Sequence, residues 1–384
     1  MPGQHALLSP SASSRWLYCT AAPRLEADEP NRDTDFTKEG TLAHAYCALK
    51  LKEFLKLNTE GEKKEIESLN AEYHSGEMDE HTDTYKICVL EKFLKAKQRT
   101  SDAKLLVETK LDFTKYVPES FGTADAIIIT DGTMEVIDFK YGKGVEVSAV
   151  ENSQMMIYAL GALEAFDSEY LINKVRMTII QPRLGNFSEY ELSTEELKDW
   201  AKRILVPRAF LAFSGKGEQL PGTWCKFCKV KGKCKALTDK CLNIFDSVDK
   251  QLVTKQDIEE RVLPNLELVK MWVEYVEQYT LEQALSGVEF EGYKVVEGRS
   301  NRKITDTDSV VKGLLEKGYS EKDFMKPATL ETITNLEKLI GKKAFSEAFS
   351  GFIEKPKGKP TLVKSSDKRP VYNNAADDFK DINF

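Results

Sequence analysis

Asp125, Asp138 and Lys140 combine two carboxylates and an amine at a spacing that can do chemistry. They lie in Gly122–Lys140, GTADAIIITDGTMEVIDFK. Two apolar β-branched runs, Ala126–Thr130 and Thr133–Ile137, flank Asp131-Gly132, a dipeptide suited to a type I′ hairpin turn, which needs φ > 0 at both central residues. Counting outward from that turn sets Thr130 opposite Thr133, Ile128 opposite Glu135 and Asp125 opposite Asp138. Opposed residues of an antiparallel pair share a face, with Cβ atoms about 4.5–5.5 Å apart. Alternation puts Lys140 on that face and Phe139 on the other. Facing carboxylates repel unless a cation or shared proton intervenes. A divalent metal site beside a cationic catalytic group follows; a solvated hairpin with ordinary surface acids accounts for the same residues.

Further elements must position this hairpin. Over Thr37–Leu57 the apolar spacing is helical, with His44, Cys47, Ala48, Leu51 and Leu55 on one face. His44 there is either a satisfied core histidine or an imidazole turned to a metal. Residues 58–84 are polar, a surface helix or connection, and Tyr85–Gln98 is an amphipathic helix. Lys104–Phe113 alternates like a strand and carries Glu108, which is either a metal or water-positioning ligand or an edge-facing glutamate. Beyond the flexible basic turn Tyr141-Gly142-Lys143-Gly144, a helix over Ala149–Phe166 places Gln154 and Tyr158 on one face, either the mixed polar side of a half-buried helix or a polar pair set over the hairpin's acids. Lys174–Gln181 is another strand, and Ser193-Thr-Glu-Glu196 is a capping box opening a helix to about Phe213. The order implies an α/β fold: a mixed central sheet flanked by helices.

A second cluster is WCKFCKVKGKCKAL, where Cys225, Cys228 and Cys234 form C-x2-C-x5-C. Thiolates so spaced point to metal, because seven cysteines in 384 residues are not a disulfide framework for an intracellular chain. Either Cys241 or Cys19 supplies the fourth ligand. Interleaved lysines 226, 229, 231, 233 and 235 offset thiolate charge and form a patch able to meet a phosphate backbone, or are simply solvated. The formal net charge of −7 gives no global nucleic-acid signature. No apolar run spans a bilayer and the N-terminus lacks a secretory leader, so a cytoplasmic protein with no membrane partner is expected.

At the start of the chain, Ser9-Pro10 opens a short helix ending near Cys19, followed by a polar loop, APRLEADEPNRDTD. Composition shifts near Ile244, suggesting domains over 1–245 and 246–384. The second holds a helical region, Gln251–Leu285, broken at Pro264, a strand in GYKVVEGR, two or three small helices between Asp306 and Phe352, and an extended Lys/Pro-rich tail. Arg299, Arg302, Lys303 and that tail form either a nucleic-acid surface or a solvated linker.

GTAD around Asp125, IDFK with Asp138 and Lys140, Gln154-x-x-x-Tyr158 and GTLAH around His44 together resemble the PD-(D/E)xK nuclease superfamily in its RecB-like branch. The resemblance implies that His44, Asp125 and Asp138 bind Mg2+ or Mn2+, that Lys140 is the catalytic lysine, that Glu108 is the acidic residue of the first strand, and that the Gln154/Tyr158 helix packs over the site. Ala124 stands where the motif's proline would be. Cys19 with Cys225, Cys228 and Cys234 is similar to the [4Fe–4S] set of CRISPR-associated adaptation nucleases and AddB-type nuclease domains, a cluster that would staple the domain's ends; structural Zn2+ with Cys241 is the alternative. The whole chain, including SDKRP, also resembles an uncharacterised family of phage and prophage proteins encoded with replication and recombination genes.

What this implies is metal-dependent, exonuclease-like hydrolysis of DNA, single-stranded or at duplex ends, in a bacterial host cell. The rival expectation is a non-catalytic nucleic-acid-binding or recombination-assembly protein that keeps the nuclease fold and recruits a recombinase or single-strand-binding protein.

Overall fold

The hairpin lies at the middle of a five-stranded sheet ordered β1-β2-β3-β4-β5 in the computed structural model, which describes residues 6–30, 35–69, 73–244, 254–300, 302–326, 329–354, 356, 358–364 and 367–372. The strands are β1 (Lys104–Asp112), β2 (Phe121–Thr130), β3 (Gly132–Phe139), β4 (Ile172–Gln181) and β5 (Asn186–Ser193). All neighbours are antiparallel except β3 and β4, which run parallel, so the sheet is mixed. The expected α/β architecture is present. β5 was not anticipated: its alternation, NFSEYELS, is half-exposed on an edge and carries few β-branched residues.

β2 and β3 pair in the register counted from the turn, with Thr130 opposite Thr133 and Ile128 opposite Glu135. The turn is not type I′, because Gly132 has φ +85° while Asp131 does not adopt a positive φ. Leu171, the residue just before β4, shapes it instead. Gly132 N donates to Leu171 O at 2.8 Å, and Asp131 Oδ1 accepts from Leu171 N at 3.3 Å.

Helices cover both faces. The α-helices up to residue 244 are α1 (Ser13–Trp16), α2 (Ala22–Glu26), α3 (Asp35–Phe54), α4 (Glu60–Ser68), α5 (Gly76–Arg99), α6 (Ser153–Phe166), α7 (Thr194–Trp200), α8 (Val206–Ser214) and α9 (Lys235–Asn243). Met134 and Val136 of β3 pack with Met155 and Leu160 of α6, whereas Ile137 and Phe139 pack with Leu51 of α3 and Tyr85 and Val89 of α5. Each such side chain contributes about 1.5–3 kcal/mol when fully buried, enough to hold α3 against the sheet although its own polar N-terminal turns are exposed.

Several boundaries differ from expectation for local reasons. α2 occupies part of the expected loop because Pro23 suits a helix's first turn. α5 begins at Gly76, well before Tyr85, because Ser75 caps it and Met78 and Thr82 are buried. α6 starts at Ser153 rather than Ala149, where the Asn152 side chain accepts from Met155 N. The Ser193/Glu196 capping box is formed, and the helix it opens widens into a π turn, Ala201–Leu205, ahead of Pro207. Residues 31–34 of the expected loop, residues 70–72, and 251–253 of the expected C-terminal helix lie outside the described residues.

The chain divides into Met1–Trp272 and Val273–Phe384, not near residue 245. The helix Leu266–Leu285 lays Leu268 and Trp272 against Leu237 and Cys241, and Trp272 Nε1 donates to Thr238 Oγ1 at 3.2 Å. In the second unit, helices Thr307–Glu316, Glu321–Phe324, Ile333–Ile340 and Lys342–Phe349 enclose Leu314, Phe324, Phe345 and Phe349. The expected extended tail forms the strand Pro360–Lys364, paired with Tyr293–Glu297. Among the described residues no helix is long and apolar enough to cross a membrane.

Candidate active site

Asp125 and Asp138 lie one rung beyond the last hydrogen-bonded pair of β2 and β3, Ala126 with Ile137. Asp125 Oδ2 accepts from Phe139 N at 2.7 Å, so the backbone of β3 orients this carboxylate, and His44 Nδ1 of α3 stands 3.3 Å from its Oδ1. Lys140 follows β3 directly, and its N bonds Ile180 O at 2.9 Å. Its Nζ lies 3.1 Å from Asp138 Oδ2 and donates to Gln154 Oε1 at 3.1 Å, while Gln154 Nε2 donates to Asp138 Oδ1 at 3.1 Å. Asp138, Lys140 and Gln154 thus close a ring of polar contacts between β3 and α6. Asp138 Oδ2 is buried and receives no hydrogen bond; the lysine meets it as an ion pair.

Glu108 joins this group by an unusual backbone. The β1–β2 ladder runs through Val107 with Ala126 and Thr109 with Ala124, which leaves Glu108 opposite Asp125. Glu108 has φ +51°, a left-handed conformation that costs about 1–3 kcal/mol for a residue with a side chain. Sequence gave no sign of it, because glutamate has no preference for that conformation.

Electrostatics separate the acids. Burial, then the neighbouring Asp125 charge, pushes the Glu108 carboxyl up to about 8. Burial works against ionising Asp125, yet His44 and the Phe139 N–H hold it below its ordinary value. Asp138 is raised by burial against the pull of Lys140. Burial opposes the charge on His44, but Asp125 outweighs it and the imidazole is raised to about 9. Lys140, also opposed by burial, is raised by Asp138 and keeps its proton.

Tyr158 shares a side-chain hydrogen bond with Gln154 and stands near the acids. Its ring packs on Phe113 at 5.7 Å and over Gly122, where an added Cβ would come within 3.0 Å of the ring. Burial raises its phenol. Its ring thus seats α6 on β2 while its phenol reaches Gln154.

Among the described residues, no group of three or more His, Cys, Asp or Glu is arranged to hold a metal ion. The donor chemistry nevertheless suits a hard divalent cation: two carboxylates and an imidazole, with one buried carboxylate oxygen met by the Lys140 ammonium as an ion pair.

The thiols meet at a second place. A cavity is lined by Cys19, Cys225, Cys228 and Cys234, together with Trp224 and Leu237. Cys241 is buried beneath Leu237 and Leu268 and does not line it. The N-terminal segment is drawn there by long-range contacts. Ala21 N donates to Glu218 O, Arg15 Nη1 donates to Phe227 O, and Tyr18 stacks on Trp224 at 4.4 Å. Burial raises the Cys225 thiol, and burial with Glu26 raises Cys228 to about 12. Lys229, Lys231 and Lys233 are engaged locally, Lys233 with Glu29, so these lysines brace the knuckle.

Two residues of consequence went unrecognised in the sequence. Glu26, 6% exposed, accepts from Lys229 N at 2.6 Å and pairs with Arg15 at 2.9 Å, tying α2 to the thiol segment. Gln181 donates to Gly142 O at 2.7 Å and Val145 O at 2.9 Å and accepts from Val147 N at 3.1 Å, fixing the loop after Lys140. A polar residue closing the apolar run of β4 was the available signal for Gln181; Glu26 had none.

A family model described as "Protein of unknown function (DUF2800)" matches residues 5–370. A solved structure titled "Crystal structure of SSO0001" is similar at 14% identity over 59% of this chain and 95% of that one, with a TM-score of 0.23. A likeness that slight carries no argument.

Proposed function

We propose that this chain, which belongs to the DUF2800 family, is a divalent-metal-dependent DNA nuclease of the RecB-like PD-(D/E)xK kind, exonuclease-like and serving phage or prophage replication or recombination. The observation that supports this best is the closed set Asp138–Lys140–Gln154 beside the His44–Asp125 pair, at one end of β2 and β3. His44, Asp125 and Asp138 would hold Mg2+ or Mn2+, with Glu108 at the margin. When bound, the metal supplies polarisation of the scissile phosphate and a water of lowered pKa. Lys140 stays protonated against Asp138 and presents its ammonium where charge develops on a phosphoryl oxygen. Gln154 holds that ammonium and the Asp138 carboxylate in one geometry. The backbone N–H of Phe139 keeps Asp125 ionised and oriented.

Cys19, Cys225, Cys228 and Cys234 suit a [4Fe–4S] cluster because they share a cavity that Cys241 does not line. The cluster's role would be structural, closing the two ends of the domain.

The test is cleavage of end-labelled single-stranded, duplex and flapped DNA with Mn2+ or Mg2+ by wild type, Asp138→Ala and Lys140→Ala. Loss of about a hundredfold or more in both variants is expected. Equal activity in all three sinks the nuclease reading and leaves a nucleic-acid-binding or recombination-assembly role.

A further inference from the structure

On the face of the sheet opposite α6, a cavity of about 210 Å3 lies between the C-terminal half of α5 and strands β2 to β5. None of its residues belongs to the set around Lys140. Lys92, Lys95 and Arg99 form one stripe of α5 at i, i+3 and i+7, facing Thr130, Thr133, Glu135, Arg176 and Glu189 on the strands. The space exists because Ala96, Thr130 and Thr133 are small where larger side chains would fill it.

The charges inside are of two kinds. Glu135 is 6% exposed and saturated: Lys92 Nζ lies 2.7 Å away, Thr178 Oγ1 donates at 2.7 Å, and Arg176 stands at 3.6 Å. Lys92 also pairs with Glu189, and Arg176 pairs with Glu191 at 2.8 Å. A buried carboxylate is costly unless paired, so Glu135 fixes these cations as a scaffold. Lys95 and Arg99, by contrast, are exposed and have no ion-pair partner among the described residues. Two uncommitted cations one helical turn apart suit a phosphate. The oxygens of Glu189 and of the two threonines remain as acceptors for hydroxyl or amino donors.

We infer that this cavity binds a phosphorylated ligand bearing hydroxyl or amino donors, the chemistry of a mononucleotide or of a phosphorylated strand end. Lys95 and Arg99 take the phosphate, and Glu189 with Thr130 and Thr133 takes the donors. The inference does not depend on nuclease activity.

Calorimetric titration of the full chain in EDTA, with dAMP, inorganic phosphate, and a tetranucleotide with or without a 5′-phosphate, tests it free of divalent metal. Expected are dAMP binding, competition by phosphate, and binding weakened about tenfold or more in the double variant Lys95→Ala/Arg99→Ala. Thr133→Leu, which fills the cavity and keeps every charge, should abolish binding, and thermal melting checks that both variants fold. Binding of the phosphorylated tetranucleotide alone, lost in both variants, identifies a strand end as the source and upholds the site. Absence of binding at millimolar concentrations of every probe, wild-type affinity in both variants, or loss of binding in Asp138→Ala would overturn it.

Discussion

Gln154 Nε2 donates to Asp138 Oδ1 at 3.1 Å, tying α6 to the end of β3. The other end of the same amide accepts from Lys140, so one side chain sets the geometry of an acid and an amine at once. Gln154→Ala should lower cleavage about 10–100-fold, the usual cost of removing a group that orients a reacting one. Gln154→Glu keeps an acceptor for Lys140 but sets a second carboxylate against Asp138. It should not restore the rate, and the pH profile of cleavage should shift. Unchanged kinetics in both variants would remove Gln154 from the site.

The His44–Asp125 pair makes the metal-free protein pH-sensitive. A histidine raised from 6.5 to about 9 on folding contributes stability that is full below 6.5 and is lost as pH rises through about 9. The thermal midpoint of metal-free wild type should therefore exceed that of His44→Ala at pH 6, and the gap should close by pH 9.5. Glu108 acts in the same sense, since a carboxyl raised from 4.5 to about 8 costs the fold stability progressively as pH rises across that window. Glu108→Gln should gain stability over wild type between those pH values.

On the proposed reading the same two groups would couple metal binding to protons. At pH 7 both His44 and Glu108 hold a proton that a cation must displace. Mn2+ titrations in buffers of different ionisation enthalpy should show proton release at pH 7, and apparent affinity should rise towards pH 9. An affinity flat across that range would exclude His44 as a ligand.

The thiol cavity separates Cys19 from Cys241. Anaerobically purified wild type should be brown, with iron and sulfide in equal amounts. Cys19→Ser should lose both, and Cys241→Ser should retain them. A colourless wild type holding one zinc, indifferent to Cys19→Ser, would decide for zinc.

Gly161 tests how α6 is seated. An added Cβ would lie 2.4 Å from the Phe113 ring, itself fully buried. Gly161→Ala should destabilise by about 1–3 kcal/mol through overpacking, although alanine is favoured by about 1 kcal/mol in a helix interior. Urea unfolding measures the net sign. A gain would mean that Phe113 moves freely aside.

What the sequence by itself determined was local. The apolar β-branched runs flanking Asp131-Gly132 set the β2–β3 register, because counting outward from a two-residue turn leaves one pairing. That register brought Asp125, Asp138 and Lys140 together, and helical spacing put Gln154 on a face of α6 able to cover them. The capping box at Ser193 was legible for the same reason, since its partners are three residues apart.

Only the tertiary structure decided the rest. Glu108 adopts a left-handed conformation that no neighbour in sequence requires, and the turn at Asp131 is bent by Leu171, the residue just before β4. The placement of Cys19, and not Cys241, on the thiol cavity turns on contacts such as Arg15 with Phe227 and Ala21 with Glu218, made across about two hundred residues of chain. Closure over such a span leaves no periodic trace in sequence, because it depends on surfaces that exist only once both ends have folded.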